Sequence, residues 1–243
     1  SMISIPPVIE DVWVYLSTTP LLWLTATLIA FLAGQWLFEL AGRRPLVNPV
    51  AIAVVLLIVL LKATGTTYQT YFDGAQFVHF LLGPATVALA VPLHQNFGAV
   101  RRAALPMLAA LLAGSVTAVV SAVAIALAFG VSLETMRSLA PKSVTTPIAM
   151  GIAEKIGGIP SLTAVMVIIT GIIGAMTVTP LMNLLRVSDW RARGFAAGVA
   201  SHGIGTARAF QVNEVAGTFA GIAMALNGIA TAIMAPLLIS LLG

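Results

Sequence analysis

Two short stretches hold most of the polar chemistry of an otherwise oily chain: APKSVTTP at 140–147 and SHGIGTAR at 201–208. Together they offer hydroxyls at Ser143, Thr145, Thr146, Ser201 and Thr206, an imidazole at His202, cations at Lys142 and Arg208, and glycines at Gly203 and Gly205. Such a set suits the binding of a small anion. Hydroxyls and free backbone N–H groups donate to it, the glycines let backbone approach it closely, and the two cations balance its charge. A carboxylate fits best, because the Arg208 guanidinium matches its two oxygens as a fork. Catalysis is not expected. Ser201 and His202 are adjacent, and neighbouring side chains rarely turn onto one another as nucleophile and base. No Gly-x-Ser-x-Gly turn or metal-ligand cluster occurs, so neither an enzyme, a metal nor a cofactor is expected.

Each of these residues also has a structural reading. Arg208 is equally a partner for Glu214 or Glu154. His202 reads as a core histidine with its bonds satisfied, and Lys142 as a side chain reaching for the surface. Glu154 and Glu214 are candidates for carrying a coupling ion, or for plain ion pairs near helix ends, for instance with Lys155. Asn227, in front of Gly228, either lines a cavity or bonds to a neighbouring helix.

The elements that must position these residues are membrane helices. The chain of 243 residues is 59% hydrophobic and only 8% charged, against about 25% charged in a soluble domain. Spanning a bilayer takes about 20 helical residues. Residues 20–41, 49–64, 77–97, 103–130, 160–186 and 215–242 supply spans, and 6–18 suit the interface. The polar, aromatic run 65–77 is also read as interfacial. The fold class is therefore an all-α polytopic membrane protein with about six full spans. Basic residues occur in ones and twos, so nucleic acid is not a partner. Ser1, ahead of Met2, is taken as foreign. Glu10 and Asp11, with no basic run near them, argue against a cleaved signal peptide.

Segments 131–158 and 188–214 remain, each polar at its middle and rich there in Pro or Gly, so a continuous helix is not expected in either. They echo one another. Thr146, Ala149, Glu154 and Gly157 match Thr206, Ala209, Glu214 and Gly217 at a spacing of sixty. Farther on, TGIIGAMTVTPLMNLL at 170–185 faces NGIATAIMAPLLISLL at 227–242 at a spacing of 56–57. Repeats of 131–186 and 188–242 follow, inside a transport unit of 76–243, with 1–75 as scaffold and homodimer contact. Basic loops favour the cytoplasm, and Arg186, Arg191 and Arg193 join Arg43, Arg44, Arg101 and Arg102 there only if 131–158 dips into the membrane and returns. The broken segments are thus read as re-entrant and the repeats as inverted, a plan common in secondary transporters.

At LAPKSVTTPIAMGIAEKIGG and SHGIGTARAF the chain resembles the LrgB/CidB family, the larger membrane component of bacterial holin/antiholin-like systems. The resemblance runs from about residue 25 to the end. It implies a multi-pass protein of the bacterial cytoplasmic (inner) membrane that works with a small LrgA/CidA-type membrane partner. It also implies a function: plastid relatives carry glycolate and glycerate, and some bacterial ones handle pyruvate and similar monocarboxylates. Fold-level analogy points to transporters of the cation/proton antiporter and bile-acid symporter type. On this reading the chain moves small monocarboxylates by alternating access, or else acts as a holin-like pore or regulator of murein hydrolase export. With no aspartate pair at the breaks, a proton is favoured over sodium as coupling ion.

Overall fold

The computed structural model describes residues 20–80, 94–95 and 97–240. They are helical, with no strand among the described residues. Two compact units divide the chain, residues 1–88 and 89–243.

In the first unit, α1 (Pro20–Leu40) packs on α2 (Pro49–Thr64) and α3 (Tyr68–Phe80). The ends of α2 are fixed by local chemistry. Asn48 Oδ1 accepts from the N–H groups of Val50 (2.9 Å) and Ala51 (3.0 Å), satisfying orphan donors of the first turn. At the other end Gly65 turns left-handed with φ 65°. Tyr71 pins α3 to α1 through an edge contact with Trp23 and a 3.0 Å hydrogen bond between its hydroxyl and that of Thr27. The run 65–77, read as interfacial, is thus largely helix. The expected span 77–97 falls mostly outside the described residues, as does 6–18 entirely.

The second unit holds α4 (Phe97–Arg102), α5 (Ala104–Ala128), α6 (Leu133–Leu139), α7 (Thr146–Lys155), α8 (Pro160–Leu184), α9 (Trp190–Val212) and α10 (Glu214–Ser240). Helices α1, α5, α8 and α10 are long and apolar enough to cross a bilayer, while α2 is a shorter apolar helix of 16 residues. The bundle has two ends. Met107 and Leu111 of α5, Phe195 and Val199 of α9, and Phe219 and Ala223 of α10 form one cluster. It lies toward a basic end that carries Arg102, Arg186, Arg191 and Arg193. Val119, Val123 and Ala126 of α5, Met136 of α6, Ala140 and Ile239 of α10 form another, toward an end that mixes Glu134, Arg137, Glu154 and Lys155.

Both broken segments double back. The Ile159 N–H donates to Ser138 Oγ (2.7 Å), and Thr163 Oγ1 donates to the Ser138 carbonyl (2.9 Å). The chain that enters α6 at the mixed end therefore returns there after α7. In the second segment Gly194, in the first turn of α9, packs directly on the backbone of Ala216 in the first turn of α10. Trp190 and Val212, at opposite ends of α9, line one small cavity. Chain entering at the basic end thus comes back to it. Arg193 ties this end to α8 by donating to the Thr179 carbonyl (3.3 Å) and to Asn183. The seam between α9 and α10 is built from small residues, Gly194, Ala197, Gly198, Ala216, Ala220 and Ala223. That is how helices approach closely where apolar burial gives no drive.

The echo in sequence needs a correction of register. Thr146 begins α7, but Thr206 lies four residues past the kink at His202. Glu154 is in the last turn of α7 whereas Glu214 opens α10. Interior prolines of the two long helices, Pro180 and Pro236, instead match at the spacing of 56 seen in the second half of the echo. Among the described residues the helices do not follow the spacing of sixty.

Candidate functional site: a one-sided cavity that ends at two broken helices

The first break comes from proline. Pro141 has no N–H to give and Pro147 sits in the first turn of α7, so residues 140–143 turn and Thr145 is extended (φ −62°, ψ 146°). The second break is a single residue. His202 holds φ 42° and ψ −134° inside an otherwise helical run, a conformation rare for a side chain with a Cβ. Two hydrogen bonds fix it there. His202 Nε2 donates to the Val167 carbonyl of α8 (2.9 Å), which defines the tautomer because a carbonyl only accepts. Thr206 Oγ1 donates to the His202 carbonyl (2.8 Å). The break expected in SHGIGTAR is therefore present, but it falls on His202 and not on the glycines. Gly203 and Gly205 are helical, and Gly205 is needed for space, since a Cβ would press on the Ala197 carbonyl and on Ser201.

Both breaks meet at the middle of the bundle. Asn227 lies midway along α10, about 20 Å from either end at 1.5 Å per residue. Its Nδ2 donates to the carbonyls of Ser143 (3.2 Å) and Val199 (3.0 Å), and its Oδ1 accepts from Ser115 Oγ (2.6 Å) near the middle of α5. Gly171 and Gly174, mid-way along α8, face His202 and Ser201. Of the two readings of Asn227, the structure selects the hydrogen bonds.

A cavity of about 970 Å³ opens beside these breaks. Arg102, Asp189 and Arg191 stand at its basic-end mouth, Met107, Phe195 and Phe219 form part of its wall, and Thr117, Lys142, Ser143, Val199 and Ala200 close it. The residues it takes from α5 reach only to Ala118 and those from α9 only to Ala200, so among the described residues its lining stops at the level of the breaks. At the mouth, Arg191 donates from Nε to both oxygens of Asp189 and from Nη2 to Oδ2. With the Arg191 N–H also bonded to it, this holds the exposed Asp189 carboxyl at about 2 and raises the Arg191 guanidinium. Lys142 is half-buried at the floor, its Nζ 3.4 Å from Ser143 Oγ.

The structure brings together some of the residues expected to act and separates others. Lys142 and Ser143 line the cavity. Thr145 and Thr146 are half-buried at the start of α7, and Ser201, His202 and Thr206 are buried around the second break. Arg208 is not with Lys142. It lines a second, small cavity with Trp190, Arg193 and Val212, and its Nη1 reaches Gln211 Oε1 (3.4 Å). Glu154 and Glu214 are exposed at helix ends. The mouth residues Arg102 and Arg191 enter the sequence reading only as basic loop residues that set the topology, and the mid-span Ser115 is not singled out there. For Ser115 the one available signal was a hydroxyl in the middle of a long apolar run.

Spans of this length, with two broken segments that double back and carry polar groups at mid-bundle, define an all-helical multi-pass membrane protein. The chain belongs to the LrgB-like family, whose model matches residues 27–241. It is 34% identical over 214 residues to the uncharacterized protein YwbG of Bacillus subtilis (strain 168), covering 88% of this chain and 95% of that one. It is 33% identical over 225 residues to the antiholin-like protein LrgB of Bacillus mycoides (strain KBAB4), covering 93% and 98%, and matches the LrgB of Bacillus cereus (strain B4264) to the same extent. No solved structure matches the chain.

Proposed function

We propose that the chain is a secondary transporter or facilitator of small monocarboxylates of the glycolate, glycerate, lactate and pyruvate type, working by alternating access in the bacterial inner membrane. The observation that supports this reading is the one-sided cavity. A pore needs a continuous path, whereas a carrier in one of its two states has an opening that ends at the binding site. Here the opening stops at Lys142, Ser143 and Val199, where both helices are broken. The start of α7 adds the positive end of a helix dipole to the Lys142 charge. With the basic end placed in the cytoplasm, the cavity faces inward. The hairpins then act as inverted repeats on opposite sides of Asn227, a proton is the candidate coupling ion, and a homodimer and a small LrgA/CidA-type protein are the candidate partners.

The second reading is antiholin-like control of lysis, which the names of the Bacillus relatives favour. Proteoliposomes separate the two. Saturable uptake of labelled pyruvate or glycolate, with trapped calcein retained, supports the carrier. Loss of calcein and chloride together with the acids, without saturation, would overturn it in favour of a pore.

A further inference from the structure

We propose that Asn227 is the positioning residue that couples the two breaks, so that neither hairpin moves without the other. Asn227 is 1% exposed and does not line the cavity. Its carboxamide uses both donors and both acceptor positions: Nδ2 to the Ser143 and Val199 carbonyls, Oδ1 from the hydroxyls of Ser115 and Thr231 (3.3 Å). The orientation is not interchangeable, because backbone carbonyls cannot donate and only the NH2 can face them. Each carbonyl belongs to a broken segment, one before α7 and one in the turn before His202. Helix ends leave such carbonyls without intrahelical partners.

One NH2 group therefore satisfies both breaks at once. Its two hydrogens point in fixed directions, so displacing the first hairpin alone would break the bond to Ser143, and displacing the second alone would break the bond to Val199. The residues held this way, Ser143 and Val199, also line the cavity floor beside Lys142 and Ala200. A ligand that arrives there touches the same backbone that Asn227 grips. Anchorage to α5 through Ser115 makes the clamp part of the bundle rather than of either hairpin. The transport consequence rests on the function proposed above; the coupling itself does not.

Hydrogen–deuterium exchange on the full chain in lipid nanodiscs tests the coupling without any substrate. Asn227→Asp keeps the shape and removes the NH2; a carboxyl, protonated or not, has at most one hydrogen and cannot serve both carbonyls. Peptides covering 140–147 and 199–206 should then exchange at least about tenfold faster, and together. Ser115→Ala leaves both clamp bonds in place and should leave both peptides within about twofold of wild type. Asn227→Gln, which keeps the NH2, should recover part of the protection at both breaks and serves as the working variant if the Asp form does not fold, with a smaller rise shared equally. Faster exchange at only one break, at neither, or equally in Ser115→Ala overturns the coupling. In proteoliposomes the Gln or Asp variant should bind pyruvate within about threefold of wild type while flux falls at least about tenfold. A proportional loss of binding and flux would mark Asn227 as merely structural. If wild type carries none of the acids, the transport reading fails and the exchange result still decides the clamp.

Discussion

Replacing Lys142 with Met should cost the protein its anion and not its fold. Lys142 sits at the closed end of the cavity with its Nζ near Ser143 Oγ. Among the described residues lining that cavity the one acid, Asp189, is engaged by Arg191 at the mouth. The ammonium is thus the charge available to a carboxylate at the floor. A charge-assisted hydrogen bond contributes about 1.5–3 kcal/mol, which corresponds to a loss of affinity of roughly 10- to 150-fold. The same substitution removes a cation from the interior of an apolar bundle, where it costs about 2.5–3.5 kcal/mol on the lenient insertion scale. Affinity should therefore fall while the melting temperature holds or rises, and Lys142→Arg, which keeps the charge, should stay within about tenfold of wild type. Thermal-shift titration with pyruvate and glycolate reads both quantities in one experiment. A folded Lys142→Met protein with unchanged affinity refutes the assignment. So does a variant that loses stability and affinity in proportion, since Lys142 would then be a packing residue.

Arg208→Lys should leave pyruvate affinity within about threefold of wild type in the same titration, because Arg208 lines the other cavity; a loss of tenfold or more would place the fork at the site after all. Gly174→Ala would drive a methyl into Ser201, an overpacking that costs about 1–3 kcal/mol. Ser201→Gly, which gives up no hydrogen bond made by Oγ among the described residues, should restore at least half of the lost melting temperature in the double variant. Single cysteines at Ser132 and Ile159 should react with an impermeant thiol reagent from one side of the membrane and a cysteine at Ser188 from the other, whereas Ser132 and Ile159 reacting from opposite sides would mean the first segment crosses. The Asp189 carboxyl, depressed to about 2 by Arg191, contributes stability that is complete above its unfolded value near 4 and is lost as pH falls through about 2. Asp189→Asn should therefore lower the melting temperature slightly and equally at pH 5 and 8, the pair being exposed, with the difference closing near pH 2.

The long spans were legible because an unbroken apolar run leaves a helix no alternative. Residues 20–41, 103–130, 160–186 and 215–242 became Pro20–Leu40, Ala104–Ala128, Pro160–Leu184 and Glu214–Ser240. The broken segments were legible as broken, and 140–147 as the place, because Pro141 and Pro147 remove donors whatever surrounds them. SHGIGTAR reads as a break at its glycines, because glycine has two uses that a sequence does not distinguish: freedom of φ and absence of a Cβ. Here Gly205, like Gly194 and Gly198, serves the second use, and the backbone turns at His202 instead. Arg208 was drawn to Lys142 by chemistry alone. Its true neighbours, Trp190 and Arg193, come from the return of α9 to its own starting end, and no spacing in the chain records that contact. Nor could the sequence choose between the two readings of Asn227. The choice depends on carbonyls, and every residue has one.

The two breaks are also different in kind, and the difference bears on which of them can change. In the first, Pro141 and Pro147 fix φ near −65° and supply no N–H, so no rearrangement of side chains can make 139–147 a regular helix. In the second, every residue from Trp190 to Val212 has a donor, and helix is already formed on both sides of His202. That break persists because the imidazole is bonded to α8 through Val167, because Thr206 holds the His202 carbonyl, and because the Val199 carbonyl has a partner in Asn227. Removing those bonds would leave a single strained residue whose relaxation straightens α9, and a positive φ at a non-glycine residue costs about 1–3 kcal/mol. The first break is written into covalent structure, whereas the second is held by three hydrogen bonds against local preference. A carrier that must alternate needs one element that stays bent and one that can yield, and these two segments differ in that respect.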